Sequence, residues 1–319
     1  MSTRFTIAIV GSKRDSHVIS LQSELEKRGC RAPCLDFNSF PRFSILNLFP
    51  DATYDDITVL EILSLNKIDL LLIRGIPMSA PQPVSRDSFI TTCRQERNRT
   101  MLKYCTIAEC TRKIPVINTL EAGMYHRLKA YQYYILHRNG ITVPQTLVTC
   151  SLSDARRFTE QLDDLVIAKP NTSAAEVVMA DERFFELNKA ILPNRPFIFQ
   201  QFVSGKSYRC YLLGGLVVSC GRLFFDRTHV DWREKVDRAE PCTLDSSVER
   251  ELVRAVRLLQ LAYCAVDIEY DRKTGKYYFL DFNPGGLFAG WSRTMGINMA
   301  AQIAEYLIEV VKNDGVIWR

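Results

Sequence analysis

The stretch "KYYFLDFNPGGLF", Lys276 to Phe288, decides how this chain reads. It is apolar and aromatic, places Asp281 and Asn283 two apart, and breaks at Pro284-Gly285-Gly286. Strand side chains alternate between faces, so Asp281 and Asn283 share one and Phe282 takes the other. A buried strand therefore ends in two oxygen-bearing side chains aimed the same way, just before a turn. Upstream, "AVDIEYD" (265–271) reads as a second strand, and Lys273-Thr274-Gly275 as the hairpin turn between them. Asp267 can then face Asp281 across an antiparallel ladder. Opposed like charges repel unless something positive lies between. A hard divalent cation such as magnesium takes such oxygen ligands and keeps waters or substrate phosphates in its other positions. The same acids can instead pair with Arg or Lys, or cap loops. Glu269 shares a face with Asp267 and can substitute for it.

Working outward, the segment from 197 onward is rich in strands: "FIFQQFV", "SYRCYLLGGLVVSCGRLFF", then the two strands above. Gly214-Gly215 between apolar runs is a hairpin signal. Helices are expected at about 246–260 and 298–312, packed on this sheet. Between 120 and 196 the texture is mixed. "LEAGMYHRLKAYQYYILHRNG" reads as one helix ending on Gly140, "TVPQTLVT" and "DLVIAKP" as strands, and "SLSDARRFTEQL" as a helix with Ser or Asp capping choices. "AAEVVMAD" is followed by a helix at "ERFFELNKAIL". The first 115 or so residues alternate. "FTIAIVG" (5–11) is a strand, "VISLQSELEKRG" (18–29) a helix with a Gly stop, and "APCLDF" a strand. "DITVLEILSLNK" suggests a helix, "IDLLLIRG" (68–75) a buried strand, "TTCRQERNRTMLKYCTIAEC" a helix and "IPVIN" a strand. Such alternation implies a parallel sheet. "PMSAPQPVSRD", with three prolines, is a surface loop. The expected fold class is α/β, with α+β character in the C-terminal half.

Length and composition set the outer limits. The 319 residues are long for a single core, and 47% hydrophobic with 24% charged residues is ordinary for a globular protein. A net charge of +5 suits anionic ligands but is too small to argue for nucleic acid. No run approaches the roughly 18 apolar residues of a membrane helix. The N-terminus reads as a first strand, not a signal peptide. The ten cysteines are scattered without metal-ligand spacing, several inside apolar runs, as expected for a reduced, cytoplasmic protein.

Cations form the second constellation. Lys129 lies in the 120–139 helix, and Lys169 ends "LVIAK" before Pro170. Each can act as a point charge on phosphate, although a lysine at a strand end also snorkels. Arg209 and Arg222 lie on the two arms of the Gly214-Gly215 hairpin and are expected near each other, suited to bidentate phosphate or carboxylate binding. Plain salt bridges are the alternative for both. The strand end "FQQFV", with Gln200, Gln201, Phe202 and Val203, can serve as a nucleobase hinge. Arg86, Arg94, Arg97 and Arg99 suggest an acidic substrate or peptide, or else a solvated helix face.

The order of these features, more than any one of them, resembles the ATP-grasp superfamily, and within it the RimK-like and glutathione-synthetase-like carboxylate–amine ligases. The resemblance covers roughly 115–312: Lys129 in "RLK", Lys169 in "LVIAKP", "FQQFVSGKSYRCYLLGG" with Arg209, Arg222 in "CGR", Asp267 in "AVDIEY", and Asp281 and Asn283 in "FLDFNPGG". "HVDWREK" (229–235) and the acid-x-Asn-Pro strand end also look like the peptide-macrocyclising ligases of graspetide (microviridin-type) biosynthesis. The resemblance implies an N-terminal Rossmann-like pre-ATP-grasp domain at 1–118, a central ATP-grasp lobe at 119–198 and a C-terminal lobe at 199–319. It implies ATP with magnesium, or alternatively manganese. A carboxylate, from a small molecule or a peptide, would become an acyl-phosphate and be joined to an amine. By the same resemblance Asp267, Asp281 and Asn283 hold the metal, Lys129, Lys169 and Gln200 to Val203 contact ATP, and Arg209 and Arg222 are the catalytic arginines. Dimers and tetramers are usual in such families, which implies a homo-oligomer.

The sequence also departs from the pattern. "PNTSAAEVV" after Lys169 has no glycine where a glycine-rich loop is common, Ser207 stands where Asp is common, and Asp281 where Glu is commoner. Three alternatives follow: a non-catalytic or regulatory ATP-binding module, an ester- or amide-forming macrocyclase, and an unrelated α/β protein whose charges are structural.

Overall fold

The computed structural model describes the chain except for residues 1–4, 37–57, 61–62, 65–66, 76–87, 112–113, 126–127, 172–176 and 226–235. The loop expected at "PMSAPQPVSRD", the "HVDWREK" segment and most of the glycine-free loop after Lys169 lie outside the described residues. The chain divides into two compact units, 1–120 with 287–319, and 121–286.

The first unit begins with β1 (Ile7–Gly11), every residue of which is buried. β2 (Cys34–Asp36), β5 (Leu70–Ile73) and β6 (Val116–Ile117) complete a parallel sheet in the order β2-β1-β5-β6. Continuous apolar strands are what a parallel sheet covered on both faces requires. Helix α1 (Ser16–Lys27) starts where the Asp15 side chain accepts the His17 N–H at 2.9 Å, and the chain turns out of it at Gly29, whose φ of 80° costs glycine nothing. Helix α2 (Ser88–Thr111) buries Met101, Tyr104, Cys105 and Ala108 among Ala8, Val10, Leu71 and Val116. The helix expected at "DITVLEILSLNK" is not formed among the described residues of that segment. Two short antiparallel strands, β3 (Thr58–Leu60) and β4 (Leu63–Ser64), stand there instead. Thr58 and Val59 are β-branched residues, which favour extended backbone over helix.

The second unit carries two antiparallel sheets. Helices α3 (Leu120–Tyr125) and α4 (Lys129–Arg138) replace the single helix expected over 120–139. Leu128 leaves helical backbone, with φ −98° and ψ 56°, so Lys129 opens a new helix rather than sitting inside one. The first sheet has the order β7-β10-β8-β9, from β7 (Thr146–Thr149), β8 (Val166–Pro170), β9 (Val178–Met179) and β10 (Phe197–Gln201). Helices α5 (Leu152–Glu160) and α6 (Glu182–Asn188) are capped by Ser151 and Asp181 side chains. Phe184, Phe185, Phe197 and Phe199 form the core between sheet and helices, in edge-to-face, stacked and tilted contacts 5.5 to 6.5 Å apart.

The second sheet has the order β13-β12-β11-β14-β15, from β11 (Gly205–Leu213), β12 (Leu216–Phe225), β13 (Val236–Pro241), β14 (Tyr263–Asp271) and β15 (Lys276–Asn283). Gly214 and Gly215, at φ 59° and 86°, make the tight turn between β11 and β12 that the sequence signalled. A Cβ at Gly205 would lie 1.6 Å from the Tyr270 carbonyl oxygen, so only glycine lets β11 start this close to β14. Helix α7 (Ser246–Leu258) lies against β12 and β15. The other expected helix, α9 (Met299–Lys312), does not pack on this sheet. It belongs to the first unit, against α1, where Asn298 donates to Glu24 at 3.3 Å and Arg28 pairs with Glu305 at 2.8 Å. The "FAGW" segment, Phe288 to Trp291, opens helix α8 (Phe288–Met295) of that unit. Among the described residues no helix is long and apolar enough to cross a membrane.

Candidate functional site

The β14–β15 hairpin has the expected register. Asp267 pairs with Asp281 across β14 and β15, and Ala265 with Asn283. A bulge sharpens the arrangement. Ile268 pairs with Phe279 and Asp267 with Asp281, which leaves Leu280 as the extra residue. The phase of alternation therefore shifts by one within β15. Phe279 and Phe282, both fully buried, come to share the face of Ile268 and Val266, with ring centroids 6.1 Å apart. Asp281 and Asn283 take the opposite face beside Asp267.

Arg209 joins that face from the adjacent strand, because it pairs with Asp267 across β11 and β14. Its guanidinium donates to the Asp267 carboxylate at 3.2 Å and to the Tyr211 hydroxyl at 3.3 Å. Burial works against the arginine's charge. Asp267, Tyr211 and Asp281 more than offset it, so the guanidinium pKa is raised. Lys129, at the start of α4, donates to Asp281 at 2.8 Å. All four side chains are between 12% and 19% exposed. Two opposed carboxylates are thus each held by a cation, and the charges of the four groups sum to zero.

The first sheet supplies Lys169. Its ammonium donates to the Gln200 side-chain oxygen at 2.9 Å and to the Tyr133 hydroxyl at 3.4 Å, and lies 5.5 Å from the centre of the Tyr133 ring. Gln200 in turn donates to the Thr146 hydroxyl at 2.9 Å. Its side chain is buried between Lys169 and Thr146. The chain leaves β10 with the Gln201 N–H on the Gln145 carbonyl (2.9 Å) and the Phe202 N–H on the Leu165 carbonyl (2.8 Å). Val203 is buried just before β11.

Arg222 is not brought to this cluster. It pairs with Tyr208 while Arg209 pairs with Gly221, so the two arginines lie on opposite faces of the sheet. Arg222 stacks over Phe224 at 4.6 Å, on a ring that also carries Arg238 at 4.4 Å. The sequence placed both arginines on the hairpin arms, but the expectation that they lie near each other is not met, because they face opposite sides of the sheet. Glu269 does not substitute for Asp267. It accepts the Gly205 N–H at 2.8 Å and the Ser207 hydroxyl, fixing the first residues of β11. Arg99 pairs with Glu96 on an exposed helix face, as a solvated helix would. Arg86 and the side chains of Arg94 and Arg97 lie outside the described residues.

Asp267, Asp281 and Asn283 present a donor set of hard oxygens, two of them charged. The Asn283 side-chain oxygen accepts the Gly285 N–H at 2.9 Å, which fixes its direction at the strand end. No group of three or more His, Cys, Asp or Glu suited to a metal occurs among the described residues. Two carboxylates and one amide oxygen still fit an ion that takes few protein ligands and completes its shell with water and phosphate, which is how magnesium is bound beside nucleotides. Tyr133, Tyr211, Gln132 and Thr146 escaped the sequence reading. Two of them carry a recoverable signal: Tyr133 is four residues from Lys129 on one helix face, and Tyr211 two from Arg209 on one strand face.

The RimK-like ATP-grasp domain matches residues 126–307. The chain is 24% identical over 196 residues to the glutamate–LysW ligase ArgX of Sulfurisphaera tokodaii, covering 57% of this chain and 68% of that protein. Its fold superposes on the ATP-grasp ligase PsnB complexed with a minimal precursor, at TM-score 0.81 and 23% identity, covering 96% and 99% of the two chains. It also superposes on the macrocyclase MdnC from Microcystis aeruginosa bound with precursor peptide MdnA, at TM-score 0.79 and 17% identity, covering 96% and 99%. The matched segment holds each residue of the cluster described above, and the chain belongs to the RimK-like ATP-grasp family of ligases.

Proposed function

We propose that this protein uses ATP and magnesium to activate a carboxylate as an acyl-phosphate and joins it to an amine, with a peptide as substrate. The observation that carries the reading is the alternating cluster Lys129–Asp281 and Asp267–Arg209, with Lys169 on the other sheet of the same unit. Phosphoryl transfer spreads negative charge over oxygens, so a competent site must preplace cations. Lys129 and Lys169 would contact the phosphates as point charges. Arg209, buried and locked to Asp267, would stabilise the acyl-phosphate. Asp267, Asp281 and Asn283 would hold magnesium, which when bound supplies positive charge at the phosphate oxygens. The Gln201 carbonyl and Val203 backbone would read the adenine edge, since the Gln201 and Phe202 N–H groups are already used within the sheet.

In the first step a substrate carboxylate oxygen bonds to the γ-phosphorus and ADP leaves. In the second an amine nitrogen bonds to the acyl carbon, phosphate leaves, and the nitrogen gives up a proton. No side-chain nucleophile is needed. A hydroxyl acceptor, and hence an ester macrocycle, is the second reading. It is favoured by near full-length similarity of fold to ligases solved with precursor peptides. Phosphate release from ATP and magnesium, screened over amino acids, amine-bearing peptides and hydroxyl-bearing peptides, separates these readings. Release with an amine acceptor supports ligation. ATP binding without release under any acceptor would leave only the non-catalytic module.

A further inference from the structure

We infer that Tyr133 is a positioning residue for Lys169, through a proton chain anchored on the bulge of β15. The inference rests on the reading of Lys169 as a phosphate contact. The bulge leaves Leu280 without a partner in the β14 register, so its carbonyl needs a donor from elsewhere. The Tyr133 hydroxyl provides it at 2.6 Å. A hydroxyl has one proton, and a carbonyl can only accept, so that proton points at Leu280. The hydroxyl's lone pairs then face Lys169, whose ammonium can only donate. The second acceptor is fixed in the same way. Gln200 presents oxygen to Lys169, which commits its NH2 group to Thr146.

Two of the three Lys169 N–H bonds are thereby committed to acceptors of known orientation, and the third is directed by them. Tyr133 is 3% exposed, so its ring cannot drift. From the same turn of α4, Lys129 holds Asp281, and Gln132 donates to the Phe282 carbonyl at 3.5 Å. Helix α4 thus grips three successive residues of β15, Leu280 to Phe282. Tyr133 is the member of that grip that extends to the other sheet. The position of the Lys169 charge is set relative to the same strand residues that carry Asp281.

The test is a double-mutant cycle read by calorimetric binding of a non-hydrolysable ATP analogue with magnesium to the full chain. Tyr133→Phe keeps the ring and removes the hydroxyl. It is expected to weaken binding about fivefold to tenfold, the worth of one ordinary net hydrogen bond. In the Lys169→Ala background the same change is expected to have no further effect, because Tyr133 acts through Lys169. A merely structural tyrosine would lower the melting temperature and leave affinity unchanged. Unchanged affinity in Tyr133→Phe with weakened binding in Lys169→Ala would overturn the role of Tyr133 alone. Wild-type affinity in Lys169→Ala would remove the phosphate contact itself, and the inference with it. If Tyr133→Phe does not fold, Gln200→Leu removes the other Lys169 acceptor. A similar loss, again absent in the Lys169→Ala background, is expected from it, and unchanged affinity there would contradict the positioning scheme.

Discussion

Lys129→Met isolates the ion pair at the centre of the site. The pair is separated by 2.8 Å, with side chains 16% and 19% exposed. At an effective dielectric of about 20 the gross attraction over that distance is roughly 6 kcal/mol. Burying the two ions costs several kcal/mol each, so the net worth is far smaller than the gross figure. Removing one partner is a different matter, because it leaves the other charge uncompensated. Lys129→Met leaves Asp281 opposite Asp267 with Arg209 as the cation shared between them. Asp281 sits on a rigid strand and cannot move out to water. Asp281→Asn instead leaves Lys129, whose long stem can carry its charge outward. Lys129→Met is therefore expected to cost about 2–3 kcal/mol and Asp281→Asn about 1–2 kcal/mol. The double variant should fall short of their sum by at least about 1 kcal/mol. Urea unfolding of the four proteins in the absence of nucleotide measures this. Coupling below about 0.5 kcal/mol would refute the claim that the two charges hold each other.

Other outcomes follow from the same structure. Arg222→Ala should change phosphate release by less than about threefold, since Arg222 lies on the face opposite Arg209; a hundredfold loss would put it in the site. Gly205→Ala should prevent β11 from pairing with β14, because the new Cβ would meet the Tyr270 carbonyl at 1.6 Å. Circular dichroism and a urea midpoint like those of wild type would contradict that packing. Hydrogen bonds from Lys27 and Arg28, helped by Asn298 and opposed by burial, lower the Glu24 pKa to about 2 from its ordinary 4.5. Its contribution to stability is thus complete above about pH 4.5 and is lost as pH falls toward 2. Glu24→Gln should flatten the acid limb of urea midpoints measured between pH 5 and pH 2.5, and an unchanged limb would rule this carboxylate out as its source.

Much of the site was legible because strand alternation is rigid. Once "AVDIEYD" and "FLDFN" were read as the arms of one hairpin, the opposition of Asp267 and Asp281 followed. Chain direction also placed Lys129 and Lys169 on separate elements, but not what they touch. The bulge at Leu280 could not be read from residue types, because an extra residue changes phase without changing composition. The same kind of shift, between Tyr211 and Leu212, separates spacing along the β11–β12 hairpin from facing, and so Arg222 was misplaced. The helix expected at 120–139 broke at Leu128, where apolar periodicity continues but the backbone does not. Helix α9 reads as amphipathic in isolation, and its partner α1, almost three hundred residues earlier, is fixed by charges on Glu24, Arg28 and Glu305 that no local pattern links.

We propose that the Asp267–Asp281 face organises phosphoryl transfer. Phosphate release by wild type and Asp281→Ala, with saturating ATP and magnesium and an acceptor that supports wild-type turnover, tests it most directly. A loss of about a hundredfold to a thousandfold is expected for the variant, with a folded circular dichroism spectrum retained. Turnover in Asp281→Ala within about threefold of wild type would contradict it.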